Sequence, residues 1–171
     1  MKNCLLVSSI LMGAFSWAQD PYAEDIAEKA RSYIAAYEKV DVDTMATFYR
    51  DDTIFEDPTY RTTSGLMGEP MGAIVGKAKI SQMLTALKSS MLGMQFEIRE
   101  QFITGRHAVF VMQVTAQMNI DDNLPPLTAQ VPLITVLEFE KGFVVHHQDF
   151  ADYRTFFQRR DEHRQSGRKT N

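Results

Sequence analysis

The stretch "YIAAYEKVDVDTMATFYRDDTIFEDP", residues 33–58, holds the end of one helix, a second short helix and a strand that stops at a proline. Apolar side chains recur at helical spacing from Tyr22 to Tyr37, which predicts a first helix with one buried face. Asp41 can cap a second helix over 42–49, because aspartate accepts hydrogen bonds from first-turn amides. The strand "DTIFEDP" then ends at Pro58, since proline cannot donate to a strand ladder.

The rest of the chain continues with a loop, a helix and a run of strands. Residues 59–75 lack a clear period and predict a long loop, while apolar spacing predicts a third helix over 77–92 that Gly93 ends. Period-two alternation then predicts a meander of four antiparallel strands with turns at Gly105 and at "KG", 141–142; the strands span 94–103, 107–120, 128–140 and 143–152. Helices followed by a meander predict one α+β domain.

The first 18 residues differ in character from all that follow. Lys2 precedes an apolar run from Leu5 to Phe15, and small residues stand at Ser16 and Ala18, which predicts a signal peptide over 1–18. The run is shorter than the roughly 20 apolar residues of a membrane span. We therefore expect a periplasmic or secreted protein that keeps no membrane contact after cleavage. Its only cysteine, Cys4, would leave with the peptide, which excludes disulfides and thiol chemistry in the mature chain.

Charge separates the predicted domain, residues 19–152, from the C-terminal tail, residues 153–171. The domain carries 11 Lys+Arg against 20 Asp+Glu, whereas the tail carries 6 against 2. An acidic domain argues against nucleic acid as a partner, because phosphate binding needs a basic surface. The basic tail is interpreted as a solvated end of the chain.

The sequence contains no glycine-rich phosphate loop, dinucleotide motif or zinc-protease motif, so no cofactor is predicted. The histidines and acids also lack the spacing of a metal site. Any chemistry must therefore come from carboxylates, histidines and tyrosines.

Residues 22–152 resemble the nuclear transport factor 2-like superfamily, which includes SnoaL-like proteins and ketosteroid isomerase; the stretch 33–58 carries the resemblance. It implies a cone-shaped, curved antiparallel sheet packed on three N-terminal helices around an apolar pocket. By likeness to the isomerase, Asp57 is the expected general base and Tyr33, 24 residues earlier, the oxyanion donor. Thr135 stands where the isomerase has a second donor, a protonated aspartic acid.

The ending "HHQDFAD", residues 146–152, resembles SnoaL-like cyclases and limonene epoxide hydrolases, in which an acid at the position of Asp149 carries the proton. Alternation places Phe143, Val145, His147 and Asp149 on one face of the last strand, so His147 and Asp149 are expected to share the pocket. The arginine and aspartate pair of the hydrolases has no counterpart in "VFVMQVTAQM", residues 109–118.

Two functions follow from this pattern, and the sequence does not separate them. The first is a cofactor-free isomerase, cyclase or hydrolase acting on a small apolar substrate, with Asp57, Tyr33, Asp149 and His147 as catalytic candidates. The second is a non-catalytic binder of a small hydrophobic molecule. Both use the same ligand-binding candidates, Tyr37, Phe55, Val131 and Thr135. Asp57 is equally compatible with a turn and Tyr33 with the core, and the sheet face could also form a homodimer.

Overall fold

The computed structural model describes residues 21–63, 72–120 and 123–168. The predicted signal peptide, 1–18, lies outside these ranges, and so does the middle of the predicted loop. The elements in chain order are α1 (Pro21–Glu38), α2 (Val42–Ala46), β1 (Tyr49–Glu56), α3 (Pro58–Thr63), β2 (Ile74–Val75), α4 (Lys77–Ser90), β3 (Met91–Thr104), β4 (His107–Met118), β5 (Leu127–Glu140), β6 (Phe143–Ala151) and α5 (Tyr153–Arg168).

The six strands form one curved, open sheet in the order β2-β1-β6-β5-β4-β3. All neighbours pair antiparallel except β1 and β6, which run parallel. This confirms the predicted α+β class and the meander of four strands. The expectation of a purely antiparallel sheet is wrong at β1. Helices α3 and α4 separate this strand from the meander, so β1 can add to the sheet in either direction.

One face of the sheet, here called the inner face, packs against the N-terminal helices. Ala108, Phe110 and Met112 alternate along β4 toward this face and are at most 2% exposed, as the period-two pattern predicts. They join a single core with Tyr33 and Ile34 of α1 and with side chains of α4. Hydrophobic burial on this one face is therefore what holds the helices on the sheet.

Local signals in the sequence fix several boundaries. The side chain of Asp41 accepts a hydrogen bond from the Thr44 amide at 3.2 Å and so caps α2 as predicted. The turns at Gly105 and Gly142 use positive φ angles, 54° and 84°, which glycine adopts without strain. Helix α2 is shorter than predicted, because Tyr49 already belongs to β1.

Two predicted boundaries around the third helix are wrong. Residues 58–63 form the short helix α3 and residues 74–75 form β2, so the segment 59–75 is not one continuous loop. Helix α4 ends at Ser90, and Gly93 lies inside β3 instead of ending the helix. The backbone becomes extended at Met91, where pairing with Met118 of β4 supplies the hydrogen bonds that another helical turn would have made.

A bulge in β6 changes which residues of that strand face inward. Glu138 pairs with His146 and Phe139 pairs with Val144, so Val145 is the extra residue. Val144 is consequently fully buried while Phe143 is 38% exposed, which corrects the predicted inward positions of Phe143 and Val145. Beyond the bulge the alternation holds, and His147 and Asp149 are both buried.

The C-terminal segment packs on the domain instead of ending in solvent. Residues 153–168 form α5, in which Phe157 is only 4% exposed. The interpretation of this segment as a solvated tail is therefore wrong for its first turns, although its basic residues Arg154 and Arg159 are exposed. Among the helices described, none is long and apolar enough to cross a membrane.

Candidate active site

A cavity of about 520 Å³ lies between the inner face of the sheet and helices α1, α3, α4 and α5. This volume is within the range of pockets that enclose small organic ligands. Its wall is mainly aliphatic, aromatic and methionine side chains, and two carboxylates interrupt it. The lining residues are Tyr37, Phe55, Asp57, Tyr60, Met83, Ala86, Leu87, Ser90, Met91, Met94, Val114, Ala116, Met118, Val131, Leu133, Asp149, Ala151, Tyr153 and Phe156.

Asp57 is the first of the two carboxylates, and it is both a helix cap and part of the wall. It is 3% exposed and directly precedes α3. Its Oδ1 accepts hydrogen bonds from the Tyr60 amide at 2.8 Å and from the Thr59 hydroxyl at 2.6 Å, which is the pattern of an N-cap. Its Oδ2 accepts a hydrogen bond from the Tyr153 hydroxyl of α5. The two interpretations of Asp57, turn former and pocket residue, therefore hold together.

Asp149 of β6 is the second carboxylate and is 4% exposed. Its Oδ1 accepts a hydrogen bond from the Thr135 hydroxyl at 2.5 Å, and its Oδ2 accepts one from the Tyr37 hydroxyl at 2.7 Å. His147 adds a third polar neighbour. Burial alone would raise the pKa of Asp149, but electrostatic attraction by His147 and the hydrogen bonds from Thr135 and Tyr37 outweigh it and leave this pKa below its ordinary value. Asp149 is consequently ionised at neutral pH.

His147 lies behind Asp149, away from the cavity. Its Nε2 is 2.9 Å from Oδ1 of Asp149, but the ring is not oriented for a well-directed hydrogen bond to that oxygen. Its Nδ1 is 2.6 Å from the Tyr33 hydroxyl, which is in turn 2.5 Å from the Tyr49 hydroxyl. The imidazole also contacts the ring of Phe55, with 4.1 Å between ring centres. These contacts hold the histidine in one orientation.

Tyr37 and Tyr153, which contact the two carboxylates, keep their hydroxyl protons. Burial raises the pKa of Tyr37, and the charge of Asp149 raises it further. Burial likewise raises the pKa of Tyr153, with Asp57 as the next cause. A phenol with a raised pKa is a hydrogen-bond donor and not a base at neutral pH. Each carboxylate of the cavity is thus matched with one tyrosine donor.

The structure brings together most of the predicted site residues, but not all of them reach the cavity. Tyr37, Phe55, Asp57, Val131 and Asp149 line it. Tyr33, Thr135 and His147 are fully buried behind the wall. The expectation that Tyr33 projects into the pocket as an oxyanion donor does not match its position, because Tyr49 and His147 occupy its hydroxyl.

Sequence reasoning missed the contribution of α5. Tyr153 and Phe156 line the cavity, and Phe157 packs beneath them. The spacing "YRTFF", residues 153–157, was the available signal, since aromatic residues three and four apart share a helix face. The surrounding arginines obscured it.

The described residues include no cluster of three or more histidine, cysteine, aspartate or glutamate side chains arranged to hold a metal ion. His107, for example, pairs with Glu138 on the sheet, whereas His147 pairs with Leu137 on the opposite face.

Comparison with known families identifies the chain. The sequence profile of the SnoaL-like domain matches residues 30–147, more than half of the chain. The chain belongs to the SnoaL-like domain family. This confirms the resemblance noted from residues 33–58. No match was found among curated proteins.

Solved structures share the fold of this SnoaL-like domain at low sequence identity. A proposed SnoaL-like polyketide cyclase from Shewanella denitrificans has a TM-score of 0.69 and 20% identity, over 80% of this chain and 97% of that one. An LEH-like epoxide hydrolase from M. tuberculosis has a TM-score of 0.60 and 17% identity, over 80% and 89%. A phenazine biosynthesis-related protein from Pseudomonas aeruginosa has a TM-score of 0.62 and 15% identity, over 80% and 87%. At these identities the likeness concerns the fold alone.

Proposed function

We propose that this SnoaL-like domain is a cofactor-free acid/base enzyme that moves a proton on a small, largely apolar substrate. The observation that carries the proposal is the buried carboxylate of Asp149, held by Thr135 and Tyr37 in the wall of a largely apolar cavity. Burying a carboxylate costs free energy that an apolar side chain of similar size would not cost. Perturbed carboxylates in concave sites are typical of proton-transfer enzymes.

Asp149 is the group proposed to accept the proton. An ionised carboxylate offers about four lone-pair positions. The hydroxyls of Thr135 and Tyr37 each occupy one of them, and Nε2 of His147 lies 2.9 Å from Oδ1. The carboxylate can therefore still accept a substrate C–H or O–H in the cavity, and the ionised form favoured by the lowered pKa is the form that can take up the proton.

Asp57 is assigned a supporting role, which reverses the order expected from the sequence. Two of its three donors, the Tyr60 amide and the Thr59 hydroxyl, belong to the cap of α3. Thr59 also accepts a hydrogen bond from the Ala151 amide at 2.9 Å, so this cap ties α3 to the end of β6. Asp57 thus stabilises the wall of the cavity, and its Oδ2, which accepts from Tyr153, is a second polar atom that a ligand could contact.

A base-dependent probe tests the proposal without knowledge of the natural substrate. The ring opening of 5-nitrobenzisoxazole requires only that a base remove one carbon-bound proton, and the released nitrophenolate is followed by absorbance. We expect saturable ring opening by the wild-type protein and a loss of about a hundredfold or more in Asp149→Asn, the usual contribution of a general base.

Two control variants accompany this assay. Asp51→Asn alters an exposed carboxylate on β1, the strand that ends just before Asp57, and should leave the rate unchanged. Asp57→Asn preserves an oxygen for the cap and should lose far less activity than Asp149→Asn. If Asp149→Asn binds the probe and opens it at the wild-type rate, the acid/base proposal fails and the cavity is that of a non-catalytic binder.

Export and a homodimer are proposed alongside this function. The pattern of charged, apolar and small residues in 1–18 supports cleavage before Gln19 and a periplasmic or secreted mature chain. The outer face of the sheet supports a dimer, because Ile134 is 42% exposed there and pairs with Val111 and Phe150. Phe102, 51% exposed, extends this apolar surface.

A further inference from the structure

Four buried polar side chains form a continuous polar series that begins behind the cavity wall and ends at Asp149 in the wall. Neighbouring polar atoms lie 2.5 Å apart from Tyr49 to Tyr33, 2.6 Å from Tyr33 to His147, and 2.9 Å from His147 to Asp149. Each of the four residues is at most 4% exposed. The proposed reaction uses Asp149 alone, so the other three require a separate explanation.

The contact with Asp149, at one end of this series, indicates whether Nε2 of His147 carries a proton. Nε2 of the imidazole is 2.9 Å from Oδ1 of Asp149, a carboxylate that accepts hydrogen bonds from the hydroxyls of Thr135 and Tyr37. A lone pair on Nε2 would face the lone pairs of that oxygen at this distance, which is repulsive. A proton on Nε2 makes the same contact attractive even when the N–H is not directed along the line to the oxygen. The distance between the two atoms therefore favours a proton on Nε2.

The tyrosine end determines whether Nδ1 carries a second proton. Burial raises the pKa of both Tyr33 and Tyr49, so each hydroxyl keeps its proton. If Nδ1 were protonated, it would donate to Tyr33, Tyr33 would donate to Tyr49, and the Tyr49 proton would need a further acceptor. Among the described residues, the Tyr49 hydroxyl forms its hydrogen bond with the hydroxyl of Tyr33. A buried hydroxyl proton without an acceptor costs free energy.

The opposite direction leaves every proton with an acceptor. Tyr49 donates to Tyr33, and Tyr33 donates to an unprotonated Nδ1 of His147. We propose that Tyr49 and Tyr33 are positioning residues that hold His147 as a neutral imidazole with its proton on Nε2, facing Asp149. The other groups against the ring, Tyr37 of α1 and Phe55 of β1, supply no competing charge.

This arrangement deepens the proposed function and rests on it for its chemical consequence. A neutral imidazole gives Asp149 an N–H dipole instead of a full positive charge, so His147 lowers the pKa of Asp149 less than an imidazolium would, while the hydrogen bonds from Thr135 and Tyr37 continue to lower it. The carboxylate then keeps more affinity for a proton than it would beside an imidazolium, because a full opposite charge favours the ionised form most strongly. Tyr49 and Tyr33 would therefore act on the base through His147 without touching the substrate.

Nitrogen NMR of the imidazole tests the inference directly. In ¹⁵N-histidine-labelled protein near neutral pH, two-bond ¹H–¹⁵N spectra distinguish protonated from unprotonated ring nitrogens. For His147 we expect Nε2 protonated and Nδ1 unprotonated. The variant His147→Gln assigns the signals, and His146, which faces the other side of β6 toward Glu56, is the internal control. Two protonated nitrogens, or a proton on Nδ1 alone, would overturn the inference.

Two hydroxyl deletions separate positioning from packing. Tyr33→Phe removes the donor to Nδ1, and Tyr49→Phe weakens that donor by removing the hydroxyl that polarises it. We expect the Nδ1 resonance to move to higher frequency in both variants, and further in Tyr33→Phe. An unchanged Nδ1 resonance in Tyr33→Phe would contradict the assignment; if that variant does not fold, the wild-type spectrum and Tyr49→Phe decide the question.

The outcomes also separate this inference from the proposed function. The expected tautomer together with no ring opening of the probe would refute acid/base catalysis and leave the positioning role of the tyrosines intact. An imidazolium together with Asp149-dependent ring opening would refute the tyrosine assignment and leave catalysis intact.

Discussion

Replacement of Asp57 by alanine measures how much one carboxylate contributes to both α3 and α5. The change removes the cap acceptor of the Tyr60 amide and the partner of the Tyr153 hydroxyl. Loss of a helix cap costs about 1 kcal/mol. A buried hydroxyl left without its partner costs about 1–3 kcal/mol more. Asp57→Ala should therefore lower the free energy of unfolding by about 2–4 kcal/mol, or the melting temperature by roughly 5–15 °C for a domain of this size.

Asp152→Ala is the matched control for this measurement. Asp152 caps α5 through the Thr155 amide and hydroxyl, at 3.4 Å and 2.7 Å, but it is exposed and holds no buried tyrosine. Its replacement should cost only the cap. The double variant Asp57→Ala/Tyr153→Phe should regain about 1 kcal/mol or more relative to Asp57→Ala, because no hydroxyl is left unpaired.

Urea unfolding followed by far-ultraviolet circular dichroism gives all four free energies on one scale. The reasoning is refuted if Asp57→Ala costs no more than Asp152→Ala, or if removal of the Tyr153 hydroxyl brings no recovery. Either result would mean that the contact between Asp57 and Tyr153 contributes nothing to stability.

The remaining predictions concern acid stability, export and assembly. The pKa of Asp149 is lowered in the folded state, so its contribution to stability is present above the unfolded value of about 4 and is lost as the pH falls through the folded value; the melting-temperature advantage of wild type over Asp149→Asn should shrink on acidification, and a constant difference would contradict this. N-terminal sequencing of exported protein should start at or near Gln19, and an intact Met1 would exclude cleavage. Analytical ultracentrifugation should show a dimer that Ile134→Lys converts to a monomer; a wild-type monomer would remove the dimer proposal.

Much of the fold was predictable because it depends on local periodicity. The stripe that ends at Tyr37 gave α1, the cap at Asp41 gave the start of α2, and alternation along 107–118 gave the buried face of β4. Gly93 was misinterpreted because a glycine after a helical pattern is a frequent stop signal, yet pairing with β4 takes precedence at Met91. The parallel pairing of β1 with β6 depends on contacts between residues about 90 apart, which no local pattern encodes.

The sequence predicted which residues belong to the candidate site, but not which of them line the cavity and which lie behind its wall. The family resemblance pointed to Asp57 and Asp149, and both line the cavity. The sequence placed Tyr33 and Tyr37 on one helix face but could not show that Tyr37 reaches the cavity while Tyr49 and His147 hold Tyr33 behind it. Alternation predicted His147 and Asp149 correctly only because the bulge at Val145 lies before them.

The packing of α5 bears on where the protein can be shortened. A recombinant chain cut after Asp152 would retain the six strands that the structure describes, yet it would lose the Tyr153 hydroxyl that donates to Asp57 and the Phe156 ring that closes part of the cavity. The surface beneath Phe157 would meet water. Such a protein would be less soluble and would hold an apolar molecule more weakly, because a chain that ends at the last strand would have an open groove in place of the cavity.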